Sequence, residues 1–201
     1  MKEILNLAKL MPQIIAVEGY PFSGKTTFIQ QHFSKDIIVA EDHMLTEEKL
    51  PEFVTSDWSE NYEDIIKRQS YFLDIEAFRC SKILSSDKKN KVMDRCIISV
   101  CVYLLARIEK HPQKKIILDT FYEKLQTYFE NGRIFLPQKI IFMNIPFDKI
   151  VSRIGSNDRK CEQFFLNKHT FDKISKYYKD ILSFYNGDIE YVFWDIENEK
   201  F

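Results

Sequence analysis

Cysteine is sparse in this chain and is never grouped as in a metal site. The four cysteines are Cys80, Cys96, Cys101 and Cys161. None belongs to a C-x-x-C pair, and none has a histidine at zinc-ligand spacing. Zinc clusters and disulfide frameworks both need such grouping. The sequence therefore predicts reduced thiols in a cytoplasmic protein and no zinc cluster.

Long apolar runs and an excess of one charge are missing as well. No run approaches the roughly 20 apolar residues that span a bilayer, and the amino-terminal residues lack the sustained apolar core of a secretory signal. Twenty-nine basic and thirty acidic residues leave a formal charge of −1. This balance gives no overall field to hold a nucleic acid polymer. We expect neither a membrane nor a polynucleotide partner.

Linker-like segments are also missing, so we expect a single domain over residues 1–201. Short β-rich runs alternate with helical stretches, which is typical of a parallel sheet covered by helices. The prediction is a three-layer α/β/α fold with a five-stranded, mostly parallel sheet. The predicted strands are 13–17, 36–40, 91–93, 139–144 and 190–194, with 115–118 as an ambiguous sixth. The predicted helices are 25–33, 62–84, 97–110, 121–131, 147–154 and 161–185.

The most specific motif is GYPFSGKTT at residues 19–27, which matches G-x-x-x-x-G-K-[ST] between a predicted strand and a predicted helix. Main-chain N–H groups of such a P-loop point at phosphate oxygens, and the following helix adds the positive end of its dipole. Lys25 supplies charge to the β and γ phosphates, and the Thr26 hydroxyl is the expected Mg²⁺ ligand. The predicted nucleotide-binding residues are Gly19, Ser23, Gly24, Lys25, Thr26 and Thr27.

A P-loop alone serves kinases, GTPase switches and ATPase motors alike. A GTPase switch of the form D-x-x-G needs an Asp three residues before a Gly. The residues three before the five glycines are Ala16, Pro21, Phe129, Ser152 and Phe184. No such switch exists in the sequence.

The segment KVMDRCIIS at residues 91–99 places Asp94 and Arg95 at the carboxyl end of a predicted strand, where α/β sheets bind ligands. A carboxylate there can hold Mg²⁺ through water, and an arginine can bind a phosphate or hydroxyl of a substrate. Asp119, which ends KKIILD, is the rival for the metal-side acid. It ranks second because no arginine follows it.

Six segments follow one another along the chain: the P-loop, AED at 40–42, FLDIEAFR at 72–79, DRCIIS at 94–99, NIPFDKIVSRI at 144–154 and NDRKCE at 157–162. In this order they resemble thymidylate kinases and the related deoxynucleoside kinases. The resemblance implies that Glu41 or Asp42 faces the acceptor, where the acid of nucleoside kinases takes the hydroxyl proton. It also implies that Arg79 lies over the substrate base or phosphate.

For the reacting groups, the same resemblance implies that Arg95 binds the reacting end of the acceptor and that Asp94 lies near Mg²⁺. A lid around residues 153–162 would carry Arg153 and Arg159 over the triphosphate, where they neutralise charge as arginine fingers do. Pro21 stands where thymidylate kinases usually carry an acid that touches the acceptor sugar. The lid also holds fewer arginines than is usual in the two groups.

The preferred hypothesis is an ATP- and Mg²⁺-dependent phosphotransferase that acts on a nucleoside or nucleoside monophosphate. Tyr71, Phe72 or Tyr103 is an available stacking face for a base. The alternatives are a P-loop NTPase or nucleotide-binding regulatory module without a small acceptor, and a kinase of another small molecule. A homodimer is left open.

Overall fold

The computed structural model describes residues 1–33, 37–41, 61–155 and 166–193. Five strands of this part form one sheet in which every neighbouring pair is parallel, in the order β2-β3-β1-β4-β5. The strands are β1 (Leu10–Gly19), β2 (Ile37–Ala40), β3 (Asn90–Asp94), β4 (Leu136–Met143) and β5 (Asp188–Val192). Each of the five firmly predicted runs overlaps one of these strands. The predicted α/β fold with a five-stranded parallel sheet is confirmed.

Seven helices lie between and around these strands in the described ranges. They are α1 (Lys2–Leu5), α2 (Lys25–His32), α3 (Tyr62–Ser85), α4 (Ile97–Arg107), α5 (Lys114–Glu130), α6 (Phe147–Gly155) and α7 (Lys168–Leu182). None of them is long and apolar enough to cross a membrane. Of the predicted helix 161–185, residues 161–165 lie outside the described part.

The ambiguous sixth strand at 115–118 is wrong, because those residues belong to α5. The buried positions of this helix are Ile117, Phe121, Leu125 and Phe129. They recur every four residues, which is the spacing of one helix face rather than the alternation of a strand. Asp119 therefore lies on the exposed side of a helix, not at the end of a strand.

The register of β1, β2 and β3 brings three chain segments together at one edge of the sheet. β1 and β3 are neighbours, and Val17 lies opposite Asp94. On the other side of β3, Ala40 lies opposite Met93. The residues that follow β1, β2 and β3 therefore meet at the carboxyl edge, where open parallel sheets bind ligands.

Parts of α3 and α4 lie beyond the carboxyl edge of the sheet. α4 packs against α7 in an antiparallel sense, since Ser99 on α4 contacts Tyr178, and Glu109, two residues beyond the end of α4, pairs with the earlier residue Lys173. α7 precedes β5, so it runs toward the amino edge of the sheet, where β5 begins. α4 runs the opposite way, in the direction of the strands, and therefore extends beyond the carboxyl edge. The amino-terminal half of α3 stands at the same level, because α3 descends to the start of β3.

Candidate active site

The P-loop is the turn between the end of β1 and the start of α2. Its backbone uses positive φ at Gly19 (+144°), Phe22 (+63°) and Gly24 (+89°). A Cβ at Gly19 would lie 2.9 Å from the carbonyl oxygen of Met143 on β4. The first glycine of the motif is thus required by close packing against the neighbouring strand, and the second opens α2 in a left-handed conformation.

Lys25 lies inside the curl of this loop. Its Nζ donates to the Tyr20 carbonyl oxygen at 3.0 Å and to Ser23 Oγ at 3.5 Å. Both Lys25 and Ser23 are buried. The ammonium group is therefore held by oxygen atoms of the loop, at the place where the motif predicts phosphate oxygens.

Thr26, in the first turn of α2, contacts Asp94 at the end of β3. Thr26 Oγ1 donates to Asp94 Oδ2 at 2.6 Å. Asp94 is 2% exposed, and its other oxygen, Oδ1, has no hydrogen-bond partner in the described ranges. Asp119, the rival acid, is exposed on α5. The geometry therefore favours Asp94 over Asp119.

Arg95 follows Asp94 in an unusual conformation, with φ of +69°. Its N–H donates to the Val17 carbonyl oxygen at 3.0 Å, which continues the β1–β3 pairing. Its Nη1 donates to the Gly19 carbonyl oxygen at 3.0 Å, to Ser99 Oγ at 3.2 Å and to the Tyr103 hydroxyl at 2.7 Å. The guanidinium is thus fixed beside the P-loop, and the Tyr103 hydroxyl is engaged in fixing it.

Arg79 lies elsewhere than the resemblance implied. It is 1% exposed, so the expectation that it covers a substrate base or phosphate is corrected. Its Nε donates to the Glu41 carbonyl oxygen at 2.7 Å, and its Nη1 pairs with Glu76. Its Nη2 donates to the carbonyl oxygens of Asp94 and Arg95, each at 2.8 Å, and to that of Ala40 at 3.3 Å. Arg79 therefore fastens the end of β2 to the end of β3.

The expected base and the expected lid arginines are described only in part. Glu41 directly follows β2 and is exposed, with its main chain held by Arg79. Arg153 on α6 donates from Nη1 to the Ser23 carbonyl oxygen at 2.9 Å, so it reaches the P-loop. Asp42, Arg159 and the rest of the predicted lid lie outside the described residues.

Glu18 is a site residue that sequence reasoning missed. It has no exposed surface and accepts from the Cys96 N–H at 2.8 Å, Ser99 Oγ at 2.6 Å and the Tyr178 hydroxyl at 3.0 Å. Burial, and then the charge of Glu18, raises the pKa of Tyr178 well above its ordinary value, so this hydroxyl keeps its proton and donates. An acid at the end of an otherwise apolar strand, next to the motif, was the available signal.

Gln69 was missed as well. It is 4% exposed, and its Oε1 has no hydrogen-bond partner among the residues that the structure describes. It lies ten residues before Arg79 on α3, which is about 15 Å at the rise of an α-helix. Because Arg79 is level with the carboxyl edge, Gln69 lies beyond that edge, at the level of α4. Such a buried amide oxygen is suited to accept a hydrogen bond from a ligand.

Comparisons with known proteins agree with this geometry. The profile of the deoxynucleoside kinase family matches residues 15–201. A search of curated proteins gives no match. The resemblance stated from the motifs is confirmed by the family profile.

Solved structures share the fold. The chain is similar to deoxyadenosine kinase from M. mycoides with bound dCTP, at 15% identity and a TM-score of 0.64, over 92% of this chain and 93% of that chain. The similarity to deoxyadenosine kinase from M. mycoides with bound dATP has 15% identity, a TM-score of 0.62 and coverage of 93% and 94%. Thymidylate kinase from Candida albicans follows with 18% identity, a TM-score of 0.60 and coverage of 90% and 82%.

The role of Arg79 can be tested through stability. Replacing it by methionine (Arg79→Met) removes the donor from Glu76 and from the carbonyl groups at both strand ends. Breaking a buried ion pair in this way costs about 3–5 kcal/mol, which for a protein of this size lowers Tm by about 10 °C. Thermal unfolding followed by circular dichroism measures the shift.

A matched control is Arg133→Met, because Arg133 pairs with Asp74 at 3.7 Å where both side chains are more than half exposed. Exposed pairs contribute at most about 1 kcal/mol. Equal melting temperatures for the two variants would contradict the proposal that Arg79 holds the ends of β2 and β3 together.

Proposed function

The chain belongs to the deoxynucleoside kinase family, and from that membership we propose that it transfers the γ-phosphoryl group of ATP, with Mg²⁺, to a hydroxyl of a deoxynucleoside. The observation that carries this proposal is the P-loop with Lys25 in its curl, placed beside Asp94 and Arg95 by the register of β1 and β3. The predicted kinase class is confirmed by the family. The donor, the metal and the acceptor are the parts that we propose.

The donor side rests on the loop and its lysine. Main-chain N–H groups before α2 and the dipole of that helix favour phosphate oxygens at this position. When phosphate is bound, the Lys25 ammonium exchanges its contacts with Tyr20 and Ser23 for phosphate oxygens. Arg153, which donates to the Ser23 carbonyl, is close enough to the loop to share this charge neutralisation. We assign Arg159 the same role by the resemblance.

The residues present fit a magnesium ion. In the described ranges no three His, Cys, Asp or Glu side chains are grouped, but Mg²⁺ at triphosphates is usually held by one or two protein groups and the phosphates. Thr26 Oγ1 and Asp94 Oδ1 are hard oxygen ligands next to the loop, and Oδ1 has no hydrogen-bond partner in the part of the chain that the structure describes. When bound, the ion neutralises charge on the phosphates. Asp94 would hold it, directly or through water.

The acceptor side uses the ends of β2 and β3. Glu41 accepts the proton of the attacking hydroxyl, with Asp42 as the alternative base, and such general-base catalysis contributes about 10²–10⁴-fold. Arg95 binds the reacting end of the acceptor, and the Gln69 oxygen accepts a hydrogen bond from its base. The bond between the acceptor oxygen and the γ-phosphorus forms while the bond to the leaving ADP breaks. Positioning and charge neutralisation supply most of the rate, because the transition state is metaphosphate-like.

A nucleoside fits the acceptor side better than a nucleoside monophosphate. Two arginines were expected there, and one of them, Arg79, is buried and bound to main-chain oxygens. A monophosphate brings up to two more negative charges, which call for additional cations. Arg95 and Glu41, the two residues that we assign to the acceptor side, suit a neutral hydroxyl.

Activity with an acceptor panel tests the proposal. ADP formation is measured with ATP and Mg²⁺, alone and with each deoxynucleoside or deoxynucleoside monophosphate. Turnover that depends on a nucleoside is expected. ADP formed at the same rate without any acceptor would indicate the NTPase alternative, and turnover only with monophosphates would indicate a thymidylate kinase-like enzyme.

Removing the P-loop ammonium should abolish transfer without unfolding the chain. Lys25→Ala removes a cation made for the phosphates, so we expect acceptor-dependent turnover to fall by at least about 100-fold. Circular dichroism should show the same fold, since Lys25 lies in the first turn of α2 and its ammonium contacts loop oxygens of Tyr20 and Ser23 that main-chain hydrogen bonds also hold in place. The control is Lys176→Ala, an exposed lysine on α7, and unchanged turnover in Lys25→Ala would refute the role.

The two candidate metal-side acids can be separated by a matched pair of variants. Asp94→Asn keeps an oxygen for Thr26 but removes the charge, so about 10-fold more Mg²⁺ should be needed for half-maximal turnover. Mg²⁺-dependent stabilisation by ATP in a thermal shift assay should weaken in parallel. Asp119→Asn should leave both measurements unchanged, and the opposite pattern would move the metal role to Asp119.

A further inference from the structure

Glu18 is a fully buried carboxylate that the proposed reaction does not use directly. It is the next-to-last residue of β1, directly before the first glycine of the P-loop. Burying an ionised carboxylate is costly unless it is hydrogen-bonded or paired. Three donors meet this need: the Cys96 N–H at the start of α4, Ser99 on α4 and Tyr178 on α7. The first two lead to Arg95.

The first connection runs through the main chain. Glu18 Oε1 accepts from the N–H of Cys96 at 2.8 Å. Cys96 is the residue after Arg95, whose φ of +69° lies in the left-handed region. A non-glycine residue in that region is strained and persists only where its surroundings fix it. The carboxylate therefore helps to hold the turn from which the Arg95 side chain projects.

The second connection runs through a side chain. Ser99 Oγ donates to Glu18 Oε2 at 2.6 Å, a short distance typical of a hydrogen bond to a charged acceptor. A serine hydroxyl has one proton, so a lone pair of the same oxygen is left to face Arg95 Nη1 at 3.2 Å. The negative charge of Glu18 thus orients the hydroxyl that receives the guanidinium.

We propose that Glu18 is a positioning residue for Arg95, which it holds in place through the Cys96 amide and the Ser99 hydroxyl. This inference rests on the proposed function, in which Arg95 binds the acceptor. Without the carboxylate, the turn and the hydroxyl that hold the guanidinium are less well fixed, and the phosphates of ATP beside the P-loop then attract it away from Ser99 and Gly19. Glu18 keeps Arg95 available to the acceptor instead of the donor.

Glu18→Gln is the variant that tests this, because it keeps the shape and removes the charge. We expect kcat/KM for the acceptor to fall about 10- to 100-fold, as for other residues that orient a ligand-binding group. The KM for ATP should change less than about 2-fold. A merely structural role would reduce the active fraction and would leave the acceptor KM unchanged.

A double-mutant cycle shows whether the effect passes through Arg95. In an Arg95→Lys background, Glu18→Gln should cost less than about 2-fold, since there is no guanidinium left to position. Ser99→Ala, which cuts only the side-chain connection, should reproduce part of the loss if Glu18→Gln does not fold. The comparison variant Tyr178→Phe removes a hydroxyl that contacts Glu18 Oε2 and Ser99 Oγ but leaves the carboxylate and both of its connections to Arg95, so its effect should be smaller than that of Glu18→Gln.

A crystal structure of Glu18→Gln supplies a readout that does not depend on activity. Arg95 Nη1 should leave Ser99 Oγ and the Gly19 carbonyl oxygen. An unmoved guanidinium, an equal loss in both backgrounds, or a loss confined to the KM for ATP would overturn the inference. Absence of acceptor-dependent turnover in the wild-type protein would instead refute the proposed function, and the crystal structure would still decide whether Glu18 positions Arg95.

Discussion

The carbonyl groups at the ends of β2 and β3 converge on one buried guanidinium, that of Arg79. Residues of the candidate site stand on these strand ends, Glu41 after β2 and Asp94 at the end of β3. A buried carbonyl without a partner costs about 1–3 kcal/mol, so several could not be buried together without a donor of matching shape. Arginine offers five donors in a rigid plane and keeps its charge. The distance between Glu41 after β2 and Asp94 at the end of β3 therefore depends on the Arg79 side chain.

Three buried cations near the strand ends, those of Lys25, Arg79 and Arg95, differ in how the fold holds them. Arg79 is paired with Glu76, and Arg95 is connected to Glu18 through Ser99. Lys25 contacts oxygen atoms of its own loop. In the proposed reaction the Lys25 ammonium turns from these loop oxygens to the triphosphate, while Arg79 stays paired with Glu76 and Arg95 stays connected to Glu18 through Ser99. In this proposal the triphosphate binds Lys25, and Arg95 stays in place for the acceptor.

The parts that sequence could predict are those that depend on local pattern. The P-loop was predictable because its glycines and lysine act through the backbone next to them, and the strands because buried strands are apolar. Residues 115–118 were ambiguous for the same reason, since a short apolar run fits either a strand or a helix. The functions of Arg79 and Glu18 could not be predicted, because the partners of Arg79 are mostly main-chain oxygens 15 to 39 positions away. Those of Glu18 lie 78 to 160 positions away.

The use of Arg79 in the fold also bears on the chemistry of the acceptor. A hydroxyl group is a weak acid, so its attack on phosphorus is helped by a base such as Glu41. A phosphate monoester is largely ionised at pH 7, with a second pKa of about 6, and needs cations rather than a base. The carboxylate of Glu41 at the end of β2, and the engagement of Arg79 with main-chain oxygens and Glu76, therefore support the proposed hydroxyl acceptor rather than a phosphate monoester. The same guanidinium that holds the strand ends together thereby removes a cation from the substrate side.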